Sequence, residues 1–125
     1  MAKVLIVDDS VSMRKLLTAT LEEAGHEIVE AEDGVIALDV AATLGNQKPG
    51  ISLVITDVNM PNMDGLTLVE ELRKLASFKF TPILVLTTET GEDKKMLAKK
   101  RGATGWLVKP FNPDQLLSTI NKVLD

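Results

Sequence analysis

Asp8, Asp9, Asp57, Thr87 and Lys109 share one feature: each closes or follows directly on a short apolar run. Asp8-Asp9-Ser10 comes after Val4 to Val7, Asp57 after Leu53 to Thr56, and Lys109-Pro110 after Trp106 to Val108, while Thr87-Thr88 ends the run from Ile83. Three carboxylates brought together would repel one another unless a cation neutralised them, and their hard oxygen atoms suit Mg²⁺, which works together with phosphate oxygens. Asp57 precedes the turn-rich segment Val58-Asn59-Met60-Pro61 and is a candidate nucleophile. A carboxylate can attack phosphorus to give an acyl phosphate, provided that positive charge meets the charge on the equatorial oxygens. Lys109 is the candidate cation, and the Thr87 hydroxyl a further hydrogen-bond donor. Taken singly, each has a plainer explanation. Asp8-Asp9-Ser10 also fits a helix N-terminus, Asp57 a turn, Thr87 a strand-end hydroxyl and Lys109 a solvated loop lysine. Joint occurrence at four strand ends favours chemistry.

Those residues share a site only if the apolar runs are parallel strands. Lys3 to Val7, Glu27 to Ala31, Leu53 to Thr56, Pro82 to Leu86 and Gly105 to Val108 read as strands. Val4-Leu5-Ile6-Val7 and Leu53-Val54-Ile55 are continuously apolar, as strands covered on both faces require. Between them Met13, Leu16, Leu17 and Leu21, then Leu68, Val69, Leu72 and Leu75, then Leu116, Leu117, Ile120 and Val123 recur at helical spacing. Asp33-Gly34 opens a further helix through Ala37, Leu38, Ala41 and Leu44, and Asn112-Pro113 opens the last, with Gln115 as capping-box partner. Gly25 and Gly102 stand where helices end. Glu92 to Arg101 offers a core mainly Met96 and Leu97 amid five basic residues, so much of that helix should be exposed. Loops are expected at Gly45 to Ile51 and Ser77 to Thr81. Strict alternation gives an α/β chain, (βα)₅, with right-handed crossovers and helices on both faces of a doubly wound parallel five-stranded sheet. In such sheets ligands bind beyond the carboxyl ends of the strands.

The 125 residues, 45% hydrophobic, suffice for one core, so residues 1–125 are expected to be a single domain. A net charge of -4 argues against general binding to nucleic acid. With no cysteine, disulfides, thiolate zinc sites and thiol chemistry are excluded. The apolar run at Val4 to Val7 is too short to span a bilayer, and Asp8-Asp9 interrupts any signal-peptide pattern. No membrane association is expected, and the cytoplasm is the expected location.

On Val7-Asp8-Asp9-Ser10, the segment Asp57 to Gly65, Thr87 and Lys109-Pro110-Phe111, the chain resembles the response-regulator receiver family over essentially its whole length, and most closely its stand-alone chemotaxis members. The resemblance implies a flavodoxin-like fold of strand order 2-1-3-4-5, for which this family is itself a stock example. It implies Asp57 as phosphoacceptor, with Asp8, Asp9, Asp57 and the Asn59 backbone carbonyl holding Mg²⁺. Lys109 and Thr87 would bind phosphoryl oxygens, and Lys109-Pro110 would be cis. The partners implied are a sensor histidine kinase that supplies a phosphohistidine, a downstream protein target such as a flagellar motor switch, and a phosphatase. The protein would then be a signalling phosphoacceptor that dephosphorylates itself, with no attached output domain.

A phosphoryl group would draw the Thr87 hydroxyl inward and leave room for an aromatic side chain, which the resemblance places on the fifth strand, here at Trp106. The competing reading leaves Trp106 as a fixed, partly buried anchor. Output would use the last two helices and the fifth strand, with Lys99, Trp106 and Lys122 as contacts. Glu89 and Asn59 would face the approach of hydrolytic water and tune the acyl-phosphate lifetime. His26 is expected at the surface. Among other classes, an Asp-nucleophile phosphatase would want a second Asp where Asn59 stands, and a nucleotide-binding domain would show a glycine-rich motif after the first strand. The nearer rival is a receiver serving a pathway other than chemotaxis.

Overall fold

A computed structural model describes residues 2–124. Its strands are β1 (Lys3–Val7), β2 (Glu27–Ala31), β3 (Leu53–Thr56), β4 (Ile83–Thr87) and β5 (Gly105–Val108). Its helices are α1 (Val11–Glu23), α2 (Gly34–Leu44), α3 (Gly65–Lys74), α4 (Glu92–Arg101) and α5 (Pro113–Leu124), with one 3₁₀ turn at Ala76–Phe78. All pairings are parallel and the order is β2-β1-β3-β4-β5. The expected α/β fold is therefore present, and β4 differs from expectation only in running one residue later, through Thr87, which pairs with Val108.

Two faces are covered because side chains alternate along each strand. Leu5, Val7, Val54, Ile83 and Val85 pack with Ala37 and Ala41 of α2, Leu68 and Leu72 of α3, and Ala98 of α4. Val4, Ile6, Leu53, Ile55, Leu84 and Leu86 pack with Leu17 and Leu21 of α1 and Leu116 and Ile120 of α5. Within the predicted apolar stripes, Leu16 turns outward at 48% exposure. In α4 the inward residue is Ala98, whereas Met96 is 67% exposed and Leu97 37%. Residues two apart on a helix lie about 200° apart, so Ala98 facing the sheet sends Met96 to solvent. His26 is half-buried and not a free surface residue, since its Nδ1 accepts the Ala2 backbone N–H at 3.1 Å.

Helix ends follow local chemistry. Ser10, Asp33 and Asp64 cap α1, α2 and α3 by accepting the backbone N–H of Met13, Ile36 and Thr67. Asn112 accepts from Asp114 N–H at 2.8 Å, and among the described residues no side-chain bond from Gln115 completes a capping box. Gly102 ends α4 at φ 115°, and Gly25, just past α1, has φ 94°. Lys109-Pro110 is cis, as is Lys48-Pro49.

Arg73 ties the edge of the sheet remote from the carboxylates. Its Nε and Nη2 donate to the Gly102 carbonyl at 3.1 and 2.7 Å, and its Nη1 donates to the carbonyls of Phe78 and Thr81 at 2.7 and 2.6 Å. Burial lowers its pKa, and none of the ion pairs among the described residues involves it. One side chain thus joins α3, the entry to β4 and the end of α4. Arg73→Met is expected to lower stability by roughly 2–3 kcal/mol, because partly buried carbonyls lose charge-assisted donors. Urea unfolding reads the loss, and an unchanged midpoint would show that those carbonyls find other donors.

Candidate functional site

The register brings the chemistry together. Val7 is paired with Thr56 and with Ala31, so the residues that follow leave the sheet side by side. The ladder runs one step further: Asp57 N–H donates to the Val7 carbonyl at 3.0 Å, Asp8 N–H to the Ala31 carbonyl at 3.2 Å, and Lys109 N–H to the Thr87 carbonyl at 2.8 Å.

Carboxylate oxygens of Asp8, Asp9 and Asp57 lie within 4.8 Å of one another. Asp8 is buried, Asp57 half-buried and Asp9 exposed, so the cluster opens to solvent on the Asp9 side. Lys109 reaches in from beyond β5: its Nζ lies 2.6 Å from Asp8 Oδ2 and 3.4 Å from Asp57 Oδ2, and its side chain is only 10% exposed. One ammonium between two carboxylates leaves the third without a cation among the described residues. A hard divalent ion with a preference for oxygen fits this donor set, and Mg²⁺ is such an ion.

The remaining carboxylate valences are directed by backbone. Asp8 Oδ1 accepts Ser10 N–H at 2.9 Å, and Asp57 Oδ1 accepts Val58 N–H at 2.7 Å. Arg14 of α1 donates through Nη1 to the Asp8 carbonyl at 2.5 Å and through Nε to Glu30 on β2 at 3.2 Å, which fixes the β1–α1 turn from behind. Thr87 is fully buried, and its hydroxyl accepts the Glu89 N–H at 3.2 Å. The Asn59 side chain turns outward to Glu89, donating Nδ2–H to Oε1 at 2.9 Å. That bond, and then Lys94, hold the Glu89 carboxyl below its usual range. Trp106 is half-buried and lines a groove of about 370 Å³ between α4 and β5, together with Lys99. It packs against the core on the α2–α3–α4 side. Lys122 is exposed on α5.

The β3–α3 loop is held by contacts that the sequence alone did not indicate. Asn62, at φ 71°, donates to Asp33 Oδ2 at 2.8 Å, and the N–H of Ile36 together with this amide lowers the Asp33 pKa. A Cβ on Gly34 would lie 2.6 Å from the Met63 carbonyl oxygen, and a Cβ on Gly65 only 1.8 Å from that of Asp57. Gly65 also donates its N–H to the Val58 carbonyl at 2.8 Å. The signal available in sequence was the Asp64-Gly65 pair itself; the close approach behind Asp57 is a tertiary fact.

Residues 4–121 match the response regulator receiver domain. The chain is 41% identical to chemotaxis protein CheY1 of Helicobacter pylori, covering 98% of this chain and 96% of that one. It is 39% identical to protein PilH of Pseudomonas aeruginosa, over 99% and 98% of the two chains. Among solved structures, chemotaxis protein CheY4 of Vibrio cholerae superposes with a TM-score of 0.91 at 52% identity, over 99% of each chain.

Gly65→Ala is expected to cost roughly 1–3 kcal/mol, since backbone and not a yielding side chain meets the new methyl. It is also expected to weaken Mg²⁺ binding by displacing the Asp57 backbone. Thermal unfolding and calorimetric titration test both, and wild-type values in each would show that the turn absorbs the methyl.

Proposed function

The chain belongs to the response-regulator receiver family, and on that premise we propose that it takes a phosphoryl group from a phosphohistidine of a partner sensor histidine kinase onto Asp57. The observation that carries the reading is Lys109 Nζ, placed 2.6 Å from Asp8 and 3.4 Å from Asp57. In the transfer an Asp57 carboxylate oxygen bonds to phosphorus as the bond between phosphorus and the donor imidazole breaks. Lys109 stands where it can exchange its carboxylate contact for a phosphoryl oxygen. Asp8, Asp9, Asp57 and the Asn59 carbonyl are the residues to hold Mg²⁺, which when bound supplies positive charge against the phosphoryl oxygens.

The switch is local electrostatics. Thr87 accepts from Glu89 N–H, so its own proton is free to turn toward an anionic oxygen. That movement, with Trp106 as the aromatic neighbour on β5, alters the α4–β5–α5 surface that carries Lys99, Trp106 and Lys122. The downstream target is a protein, in a chemotaxis pathway a flagellar motor switch, and a phosphatase can share the same surface. Likeness to proteins named for chemotaxis supports that pathway, and the comparable likeness to PilH favours a second reading, a receiver in another pathway. Asn59 and Glu89 set how long the acyl phosphate lasts before hydrolysis. The chain would act in the cytoplasm as a single domain; no helix among the described residues is long and apolar enough to cross a membrane.

Trp106 fluorescence is expected to change saturably with Mg²⁺, and again with beryllofluoride as phosphoryl mimic. Asp57→Asn is expected to abolish the second change, and Asp9→Ala to weaken the first by about tenfold or more. Phosphoryl uptake from acetyl phosphate by an Asp57→Asn variant would overturn the site.

A further inference from the structure

We propose that Lys94 is a positioning residue that pins Glu89 across the mouth of the phosphorylation pocket and thereby lengthens the life of the acyl phosphate. This inference rests on the phosphoryl-transfer reading and concerns one step of it, hydrolysis.

A single oxygen, Glu89 Oε1, accepts two donors that come from separate elements. Asn59 Nδ2 reaches it at 2.9 Å from the β3–α3 loop, and Lys94 Nζ at 3.1 Å from the first turn of α4. The Glu89 backbone N–H is meanwhile given to Thr87 Oγ1 at 3.2 Å. Glu89 thus spans the gap between the loop that follows Asp57 and the helix that follows Thr87. Asn59, two residues after the nucleophile, has its amide directed at Glu89.

Helix stability does not account for a lysine at this place. The first turn of α4 carries Glu92 and Asp93, as the positive end of a helix favours, and Lys99, Lys100 and Arg101 suit its last turn. Lys94, third in the helix, opposes that order, and α4 has no side-chain cap at Gly91 to compensate. What Lys94 gains is the carboxylate ahead of it.

The bridge acts on water. Held closed, it covers the side of Asp57 from which water would approach and withholds the Asn59 amide from orienting that water. Released from Lys94, Glu89 is tied by one neutral donor and swings aside more often. The pair is exposed, 46% at Lys94 and 29% at Glu89, so its effect is modest and sensitive to salt.

Wild type and variants are loaded with acetyl phosphate and Mg²⁺, the donor is removed, and loss of the phosphoryl group is followed at low salt and in concentrated NaCl. Lys94→Met is expected to shorten the lifetime about two- to fivefold at low salt. Lys94→Arg is expected to restore it, and salt to bring wild type toward Lys94→Met while leaving the variant nearly unchanged. In a Glu89→Gln background Lys94→Met is expected to have no effect. A wild-type lifetime in Lys94→Met overturns the inference, as does equal shortening in the Glu89→Gln background, which would mean that Lys94 acts through bulk charge. A wild-type chain that takes up no phosphoryl group overturns the phosphoryl-transfer reading and this inference together, whereas normal uptake with an unaltered Lys94→Met lifetime removes this inference alone.

Discussion

Negative charge concentrated at one edge of the sheet is the constraint around which the molecule is arranged. Carboxylates of Asp8, Asp9 and Asp57 with oxygens inside 4.8 Å of one another cannot stand together in a half-buried pocket without positive charge close by. The cation comes from far along the chain, Lys109, 101 residues after Asp8. Only a parallel sheet with β1, β3, β4 and β5 side by side returns every strand to the same edge with its carboxyl end outward, so that a lysine after the last strand meets aspartates after the first and third. The fully buried apolar strands secure that register. A one-residue slip of β3 would turn Val54 and Ile55 toward the wrong helices while moving Asp57 away from Asp8.

Around this charge the loops are held by short-range fits and not by a large apolar core. Gly65 lets the start of α3 approach the Asp57 carbonyl, Gly34 lets α2 approach Met63, and Asn62 closes the seam to Asp33. Arg14 fixes the Asp8 carbonyl from the opposite face. The result is a carboxylate cluster braced from both layers of helices, so that little reorganisation is needed when an anionic group arrives.

Much of this was legible because it depends on local pattern. Continuous apolar runs such as Val4 to Val7 suit strands covered on both faces, and the polar residue at the end of four of the five runs marks the edge where the carboxylates gather. Asp33, Ser10 and Gly102 took the capping roles that their types suggest. The failures share a cause as well. Met96 and Leu97 are the bulky apolar residues of α4, yet Ala98 is the one that packs, since helix rotation is fixed by how closely the backbone can approach the sheet and not by side-chain size. The role of Arg73 has no signal in the sequence, because its partners are backbone carbonyls, which are present at every residue and leave no trace in composition. The Asn59–Glu89–Lys94 bridge was half visible: the first two residues follow Asp57 and Thr87 at the same interval, but the third depends on how α4 leaves its loop.

The weak seating of α4 connects these observations to signalling. Within that helix only Ala98 is buried; its first turn is fastened through Lys94 to Glu89, and its last through Gly102 to Arg73 and through Arg101 to Glu70. The Arg73 end is fixed by a half-buried guanidinium. The Glu89 end is fixed by an exposed ion pair and by one hydrogen bond to the Thr87 hydroxyl. An element with little buried area moves at small free-energy cost, and a few kcal/mol suffice to reverse a two-state population. A phosphoryl group adds charge of that consequence within reach of Thr87 and Lys109. The helix is therefore hinged at its far end and tethered at its near end by the groups that phosphorylation would recruit, which on the proposed function would make α4 the element through which chemistry at Asp57 reaches the surface.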